Sequence, residues 1–233
     1  MSSRRRAEMP ARIVSSIHTI LRVLVGSQAH GLAGPKSDKD FRSVFAMPTV
    51  EMFRLGFKYQ GTRMMKEEAD ETSWEVGHFL QLAVQCHPLV LETFVAPVET
   101  MDEWGEQLLA LFPSVWSPRT AYDAFLQYGE NQRKKMLDKK DGRPAKYAAT
   151  YVRILFHLCE LLERGTFSLN IAGSAIGDTV RRIKEGRYRT GEVIDWGEHW
   201  MAEAARRLSS CSHTSNYQAV DEYLVALRMS LLK

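Results

Sequence analysis

The chain has 233 residues, of which 45% are hydrophobic and 25% charged, and its formal net charge is +3. This length can form one large domain or two small ones, and the composition is ordinary for a soluble globular protein. No apolar run approaches the roughly 20 residues that cross a bilayer, and no signal-peptide segment follows the basic N-terminus. The three cysteines lack metal-binding spacing. We therefore expect reduced thiols, no structural zinc, no membrane partner and a cytoplasmic location.

Helical and extended patterns alternate in the first half of the chain. Isoleucines at helical spacing predict a first helix over residues 10–20. Short apolar or alternating runs predict four strands, at residues 21–25, 41–48, 57–65 and 71–76. A further helix is predicted over residues 77–86, with Pro88 stopping it. This alternation is typical of a small α/β unit.

Helical periodicity dominates after residue 115. Ser117 is a plausible N-cap and Pro118 occupies the first helical position, so a helix is expected to begin there. The strongest helical pattern covers residues 146–165 and ends at Gly165. Three more helices are predicted, over residues 178–185, 190–208 and 214–231.

These patterns predict an α/β (α+β) fold with two domains. Residues 1–115 would form a small catalytic domain with a mixed sheet and helices on one side. Residues 116–233 would form a helical domain. A functional site is expected in the cleft between the two domains, where ligand pockets often occur.

The segment at residues 23–45 carries the most informative pattern. A predicted buried strand ends at Gly26 and Ser27, and Asp38 and Asp40 begin the next strand. Gly26 allows a sharp turn close to a ligand, and the Ser27 hydroxyl and nearby N–H groups can face a phosphate. Residues two apart on an extended segment project from the same face. A divalent cation would relieve the repulsion of the two aspartates and bind a nucleotide's phosphates, which favours a functional site over a solvated turn.

This pattern resembles the glycine-serine and double-aspartate motif of the polymerase-β-like nucleotidyltransferases. The matching residues are Gly26, Ser27, Gly31, Ser37, Asp38 and Asp40. A closer resemblance is to the branch named for an association with RNA repair, because Arg42 follows the aspartates where that branch has an arginine. The resemblance covers about residues 20–97 well and continues loosely to about residue 165.

The resemblance also implies a third carboxylate at Asp70. It would ligate the catalytic metal or act as general base on the acceptor hydroxyl. Glu71 and Glu75 are the alternatives, and both would face the other side of an extended strand from Asp70. Taken alone, this acidic run is typical of a solvated charged loop.

Two further segments fit the resemblance. Lys146 and Arg153 are seven residues apart on one helix face, as a lysine and an arginine are in related proteins, and Tyr151 lies between them. We expect these residues to contact the nucleotide, with the cations near its β- and γ-phosphates; the alternative is a solvated basic helix start. Glu92 lies in a His-Pro…Glu segment, similar to the Asn-Pro…Glu segment of the branch, and is assigned no step.

The motifs therefore predict a metal-dependent nucleotidyltransferase. It would transfer a nucleoside monophosphate from an NTP and use Mg²⁺ or Mn²⁺ held by Asp38, Asp40 and Asp70. The expected nucleotide-binding residues are Gly26, Ser27, Gly31, Arg42, Lys146, Tyr151 and Arg153.

The acceptor is left open by the sequence. The mild basic charge slightly favours an RNA end, which the lysines among residues 134–140 could hold. One rival interpretation is a protein-modifying nucleotidyltransferase that acts on a partner such as a toxin. The other is a non-catalytic module that binds a nucleotide or RNA. The preferred NTP and the oligomeric state are also open.

Overall fold

The computed structural model describes residues 17–34, 37–59, 61–65 and 70–232. Within these residues, five strands form one mixed sheet: β1 (His18–Val25), β2 (Asp40–Ala46), β3 (Thr62–Met65), β4 (Asp70–Glu75) and β5 (Val98–Met101). Their order across the sheet is β3-β4-β2-β1-β5. β2 and β4 are parallel, and the other neighbouring pairs are antiparallel. The predicted mixed α/β class is therefore confirmed.

Helices surround and follow the sheet. The helices of the first half are α1 (Gly26–Ala29), α2 (Thr49–Met52), α3 (Val76–Val84), α4 (Pro88–Phe94), α5 (Glu103–Ala110) and α6 (Phe112–Val115). Those of the second half are α7 (Pro118–Leu137), α8 (Pro144–Arg164), α9 (Gly177–Lys184), α10 (Thr190–Leu208) and α11 (Tyr217–Ser230). No helix in the described ranges is long and apolar enough to cross a membrane.

Most predicted elements occur with small shifts at their ends, although of the strand predicted over residues 57–65 only Thr62–Met65 is strand in the described residues. The four predicted strands correspond to β1–β4, and the predicted helices after residue 115 correspond to α7–α11. Ser117 occupies the N-cap position of α7, although its hydroxyl donates to the Thr120 hydroxyl and not to the helix backbone, and Pro118 begins that helix. Gly165 ends α8 in the left-handed conformation, with φ of 76°. The residue types at these boundaries, Ser-Pro at the start and glycine at the end, therefore predicted them correctly.

The predicted first helix is wrong where the structure describes it. His18, Thr19 and Ile20 belong to β1, and His18 and Thr19 are register partners of Ala46 and Phe45 in β2. The rest of the predicted helix lies outside the described residues. Isoleucine spacing over so short a stretch does not distinguish a helix from a buried strand, and sheet pairing decided the conformation.

The segment between residues 86 and 115 contains the expected helix after Pro88, and also β5, α5 and α6, which the sequence did not predict. Pro88 begins α4 as well as following α3, because its fixed φ suits the first turn of a helix. β5 completes the edge of the sheet beside β1. Gly105 of α5 lies so close to the carbonyl of Ile20 that a Cβ would collide with it.

The last helix returns to the first half of the chain. Arg228 on α11 forms an ion pair with the buried Glu75 at 2.6 Å, and the Tyr223 hydroxyl donates a hydrogen bond to the carbonyl of Trp104 at 2.9 Å. The division into residues 1–115 and 116–233 stays a prediction. Wherever that boundary lies, α11 contacts residues of the first half of the chain.

Candidate functional site

A cleft of about 700 Å³ lies between one end of the sheet and the helices of the second half. The sheet and the turn after β1 form one wall of the cleft and contribute Gly26, Ser27, Asp40, Arg42 and Asp70. The helices α7, α8 and α9 contribute Tyr128, Gln132, Lys135, Lys146, Arg153 and Lys184. Most of the site residues expected from the sequence therefore line one cavity, although they come from distant parts of the chain.

Asp40 and Asp70 lie side by side in this cleft. They are the first residues of β2 and β4 and are partners in the parallel register, so their side chains leave the same face of strands about 4.8 Å apart. Partial burial raises the pKa of Asp40, and the negative charge of Asp70 raises it further. Neither carboxylate forms a hydrogen bond or an ion pair with another described residue. Two carboxylates placed in this way fit a shared divalent cation.

Gly26 brings the turn after β1 against the same carboxylate. Its φ is 68°, a conformation that side chains rarely adopt, and a Cβ at this position would collide with Asp40 Oδ2. A glycine is therefore required here both by the turn and by the close approach. Ser27 follows directly and lines the cleft, so the glycine-serine turn and the carboxylate form one compact unit.

Three of the expected residues are placed elsewhere. Asp38 is exposed and does not line the cleft. Gly31 faces the side chain of Asn170. Tyr151 is 1% exposed in the core, with its ring against Gly197.

Asp38 lies just before β2, which begins at Asp40. Its charge nevertheless helps to raise the pKa of Asp40, so the two carboxylates lie within electrostatic range of each other. In the parts of the chain that the structure describes, no group of three or more histidines, cysteines, aspartates or glutamates is arranged to hold a metal ion. The role of Asp38 as a ligand therefore stays a prediction.

The two alternatives for the third carboxylate are already occupied. Glu71 accepts a hydrogen bond from Arg22 Nε at 3.2 Å and another from the Ser43 hydroxyl. Glu75 is completely buried. Its carboxylate accepts from the Tyr59 hydroxyl, the Gly77 amide and the Arg228 guanidinium. Asp70 is the member of this set whose oxygens are free to bind a ligand.

A buried ionic cluster lies at the base of the cleft. Glu92 is 1% exposed, and its carboxylate accepts from Arg42 Nη1 at 3.1 Å and from Arg153 Nη1. Burial alone would raise the pKa of Glu92, but the Arg153 and Arg42 guanidiniums outweigh it and hold the pKa well below its usual range. Arg42 also donates to the carbonyl of Leu89 at 2.6 Å. Glu92, to which the sequence assigned no step, thus fixes two arginines that line the cleft.

Two histidines beside this cluster are neutral near pH 7. Burial and the charge of Arg153 lower the pKa of His30 well below its ordinary value. Burial lowers the pKa of His157 to about 3. With both rings uncharged, the positive charges of Arg42 and Arg153 are opposed only by the negative charge of Glu92. The cluster therefore carries a net charge of about +1 beside the cleft. That excess favours an anionic ligand.

Lysines extend the positive charge along the helical wall. Lys146 lines the cleft on α8, where its charge lowers the pKa of Asp40. Lys184 on α9 donates from Nζ to the carbonyl of Leu32 at 2.9 Å, and burial lowers its pKa. The sequence did not single out Lys184, Gln132 or Tyr128. The spacing of residues 128, 132 and 135 on one helix face was the available signal for the α7 residues.

Together the mixed sheet, the glycine turn and the paired carboxylates define a nucleotidyltransferase-like protein of the polymerase β type. Residues 1–182 match the family model described as RlaP, the RNA repair pathway DNA polymerase beta family. Because this match covers well over half of the chain, the protein belongs to that family. The resemblance carried by the motifs is therefore confirmed.

Other comparisons add little. One solved structure that the chain is similar to is a nucleotidyltransferase-like protein from Exiguobacterium sibiricum 255-15, with 8% sequence identity and a TM-score of 0.24. The similarity covers 90% of this chain and 73% of that one, and it is too weak to support an inference about the site. No curated protein sequence matches the chain.

Proposed function

We propose that this protein is a metal-dependent nucleotidyltransferase that moves a nucleoside monophosphate from an NTP to the end of an RNA. The observation that carries the proposal is the pair of free carboxylates, Asp40 and Asp70, at one side of a cleft whose other walls hold arginines and lysines. A nucleotide with its cation requires this division of charge, because the cation binds carboxylates and the phosphates bind guanidinium and ammonium groups.

Asp40 and Asp70 would hold Mg²⁺ or Mn²⁺, with Asp38 as a further ligand. When bound, such a cation neutralises charge on the phosphates and on the attacking and leaving oxygens of an in-line displacement. The fit rests on the donor chemistry, since hard divalent cations prefer carboxylate oxygens. It also rests on the closeness of the two carboxylates, since the negative charge of Asp70 adds to partial burial in raising the pKa of Asp40.

The chain's own groups would position the substrate. The Ser27 hydroxyl and the amides of the turn that begins at Gly26 bind the terminal phosphates. Arg153 and Lys146 contact the same phosphates from the helical wall. Because Glu92 holds the Arg153 guanidinium in place, little ordering is needed when the nucleotide binds.

The transfer itself is a single displacement. The acceptor hydroxyl oxygen forms a bond to the α-phosphorus, and the bond from that phosphorus to the bridging oxygen of the β-phosphate breaks. Asp70 accepts the proton of the hydroxyl, and pyrophosphate leaves with the bridging electron pair. Positioning and charge neutralisation would supply most of the rate enhancement.

Basic side chains next to the cleft favour RNA as the acceptor. Lys135 and Lys146 line the cleft, and Lys134, Lys139 and Lys140 are exposed at the adjoining end of α7 and the following turn. None of these five lysines forms an ion pair with a described residue. A continuous series of unpaired cations is suited to a nucleic-acid backbone.

The main test follows the label of the α-phosphate. The protein is incubated with each α-labelled NTP, Mg²⁺ or Mn²⁺, and total RNA or cell lysate, and the labelled product is separated. We expect labelled RNA with wild type, and none with Asp40→Asn. Asp123→Asn, at an exposed carboxylate on α7, is the matched control and should label normally. Nucleotide binding without labelling of any acceptor would favour the non-catalytic module.

A second variant separates RNA from a protein acceptor. Replacing Lys134, Lys139 and Lys140 together with serine removes three cations outside the cleft lining. If RNA is the acceptor, labelling should fall severalfold and depend less steeply on salt, while NTP affinity stays unchanged. Labelling of a protein that is unaffected by this variant would support the protein-modifying alternative.

A further inference from the structure

Helix α7 contributes a face to the cleft that no motif singled out. Tyr128, Gln132 and Lys135 follow one another at helical spacing, and all three line the cavity. Gln132 is unusual among them because it is only 6% exposed. Its side-chain amide nevertheless forms no hydrogen bond with any described residue. Its amide atoms are not among the buried side-chain atoms that lack a partner, so they open onto the cleft, where a ligand can form hydrogen bonds with them.

The buried neighbours of Gln132 on its own helix carry no polar side chain, in contrast to its amide. The residues of α7 that are buried near it are Phe125, Gly129 and Met136, and Gly129 packs directly against Leu155 and Tyr151. An apolar residue at position 132 would continue this packing face without leaving an amide unpaired. The glutamine is therefore better explained by what enters the cleft than by the fold.

The wall beside Gln132 is apolar. Leu32, Tyr147, Ala149 and Val180 line the cleft and belong, together with Met136, to one buried hydrophobic cluster. The cleft thus has a charged part around Asp40 and Arg153 and a largely apolar part, bordered by Lys135 and Lys184, in which Gln132 supplies an unpaired amide. A nucleotide has the same division, because its phosphates are charged and its base is flat and largely apolar with a polar edge.

We propose that Gln132 is a specificity-determining residue that reads the edge of the nucleobase, and that the preferred base is adenine. This inference rests on the proposed function. The glutamine amide offers one acceptor and two donors side by side. Adenine presents the complement on both exposed edges, where its 6-amino group donates and N1 or N7 accepts. The extended apolar wall suits the larger surface of a purine.

The test compares binding of the four NTPs in Mg²⁺, measured by calorimetry, between wild type and Gln132→Met. Methionine keeps the length and volume of the side chain and removes only the hydrogen-bonding atoms. We expect wild type to bind ATP roughly tenfold more tightly than the other NTPs, and Gln132→Met to lose that preference by weakening ATP alone. Gln127→Met, at an exposed glutamine of the same helix, is the matched control and should keep it.

Thermal unfolding of each variant establishes that it is folded, and a change in the ratio between nucleotides cannot arise from stability alone. Equal affinity of wild type for all four NTPs, or an unchanged preference in Gln132→Met, would overturn the assignment of Gln132 while leaving the nucleotidyltransferase proposal standing. Failure of wild type to bind any NTP with Mg²⁺ or Mn²⁺ would overturn both.

Discussion

Asp40 and Asp70 are register partners at the first positions of two parallel strands. They are 30 residues apart in the sequence, and the sheet brings them together because β4 pairs with β2 and not with β1. The backbone of Gly26 packs against the carboxylate of Asp40. The proposed cation site is therefore built by strand pairing, and its chemistry can be tested apart from any acceptor.

Asp70→Asn should separate stability from metal binding. Without metal, the variant removes a negative charge beside Asp40, so its melting temperature should equal or exceed that of wild type. With Mn²⁺, wild type should gain thermal stability, because a ligand that binds only the folded state stabilises it, and the variant should gain much less. Transfer activity should fall by more than about 100-fold, the upper end for groups that merely support a ligand. A wild-type melting temperature indifferent to Mn²⁺ would count against the site.

Gly26→Ala should be more damaging than an alanine at another left-handed glycine. Both Gly26 and Gly186 have positive φ, at 68° and 74°, but a Cβ at Gly186 meets nothing within 4 Å. Gly186→Ala should lower the free energy of unfolding by about 1–2 kcal/mol, the cost of the left-handed backbone alone. Gly26→Ala adds the collision with Asp40, so it should cost more and also weaken the stabilisation by Mn²⁺. Urea unfolding measures both, and equal losses would show that the close approach does not matter.

His157 should make the protein sensitive to acid. Burial lowers its pKa to about 3, below the value of about 6.5 expected in the unfolded chain. As the pH falls from 6.5 towards 3, the unfolded state binds a proton that the folded state does not, so stability is lost. The contribution approaches about 1.4 kcal/mol per pH unit within this window.

His157→Phe tests this dependence. The ring of His157 is stacked on Phe167 at 4.8 Å between centroids, and neither of its buried nitrogens has a hydrogen-bond partner among the described residues. A phenyl ring can keep the stacking and cannot be protonated. The difference in free energy of unfolding between variant and wild type should therefore move in favour of the variant between pH 7 and pH 4.5. A difference that is constant over this range would contradict the pKa assignment.

Arg228→Met should strongly destabilise the protein. Arg228 pairs with Glu75, which is completely buried, so the variant leaves a buried carboxylate with only the Tyr59 hydroxyl and the Gly77 amide. Removing one partner of such a pair costs about 3 kcal/mol or more. Arg119→Met breaks an exposed pair with Asp123 and should cost less than about 1 kcal/mol. Chemical denaturation compares them, and similar losses would mean that α11 is held mainly by its apolar contacts.

The ion pair between Arg228 and Glu75 shows why the sequence could not exclude the two glutamates of β4 as the third carboxylate. In the sequence, the resemblance favoured Asp70 and left Glu71 and Glu75, a few residues away, as alternatives. Only the folded chain places Arg22 and Ser43 against Glu71 and brings Arg228 to Glu75 from the far end of the sequence. These partners satisfy both glutamates and leave Asp70 free beside Asp40.

Gln132 illustrates the same limit. Its position on α7 was predictable, because Ser117 and Pro118 indicate where the helix begins and the helical pattern continues past residue 132. Whether that face meets another helix, solvent or a cleft depends on where β2, α8 and α9 lie. A glutamine with an unpaired amide is recognisable only after its surroundings are known.

By itself, the sequence determined the local features: the helices after residue 115, the glycine turn at Gly26, the candidate carboxylate at Asp40 and the family. Those features depend on neighbouring residues, and short-range backbone preferences and motif spacing encode them. The tertiary structure alone decided that residues 18–20 are strand, that Asp40 faces Asp70, and that Glu92 joins Arg42 to Arg153. These relationships join residues that are far apart along the chain, so only the packing of the whole fold could establish them.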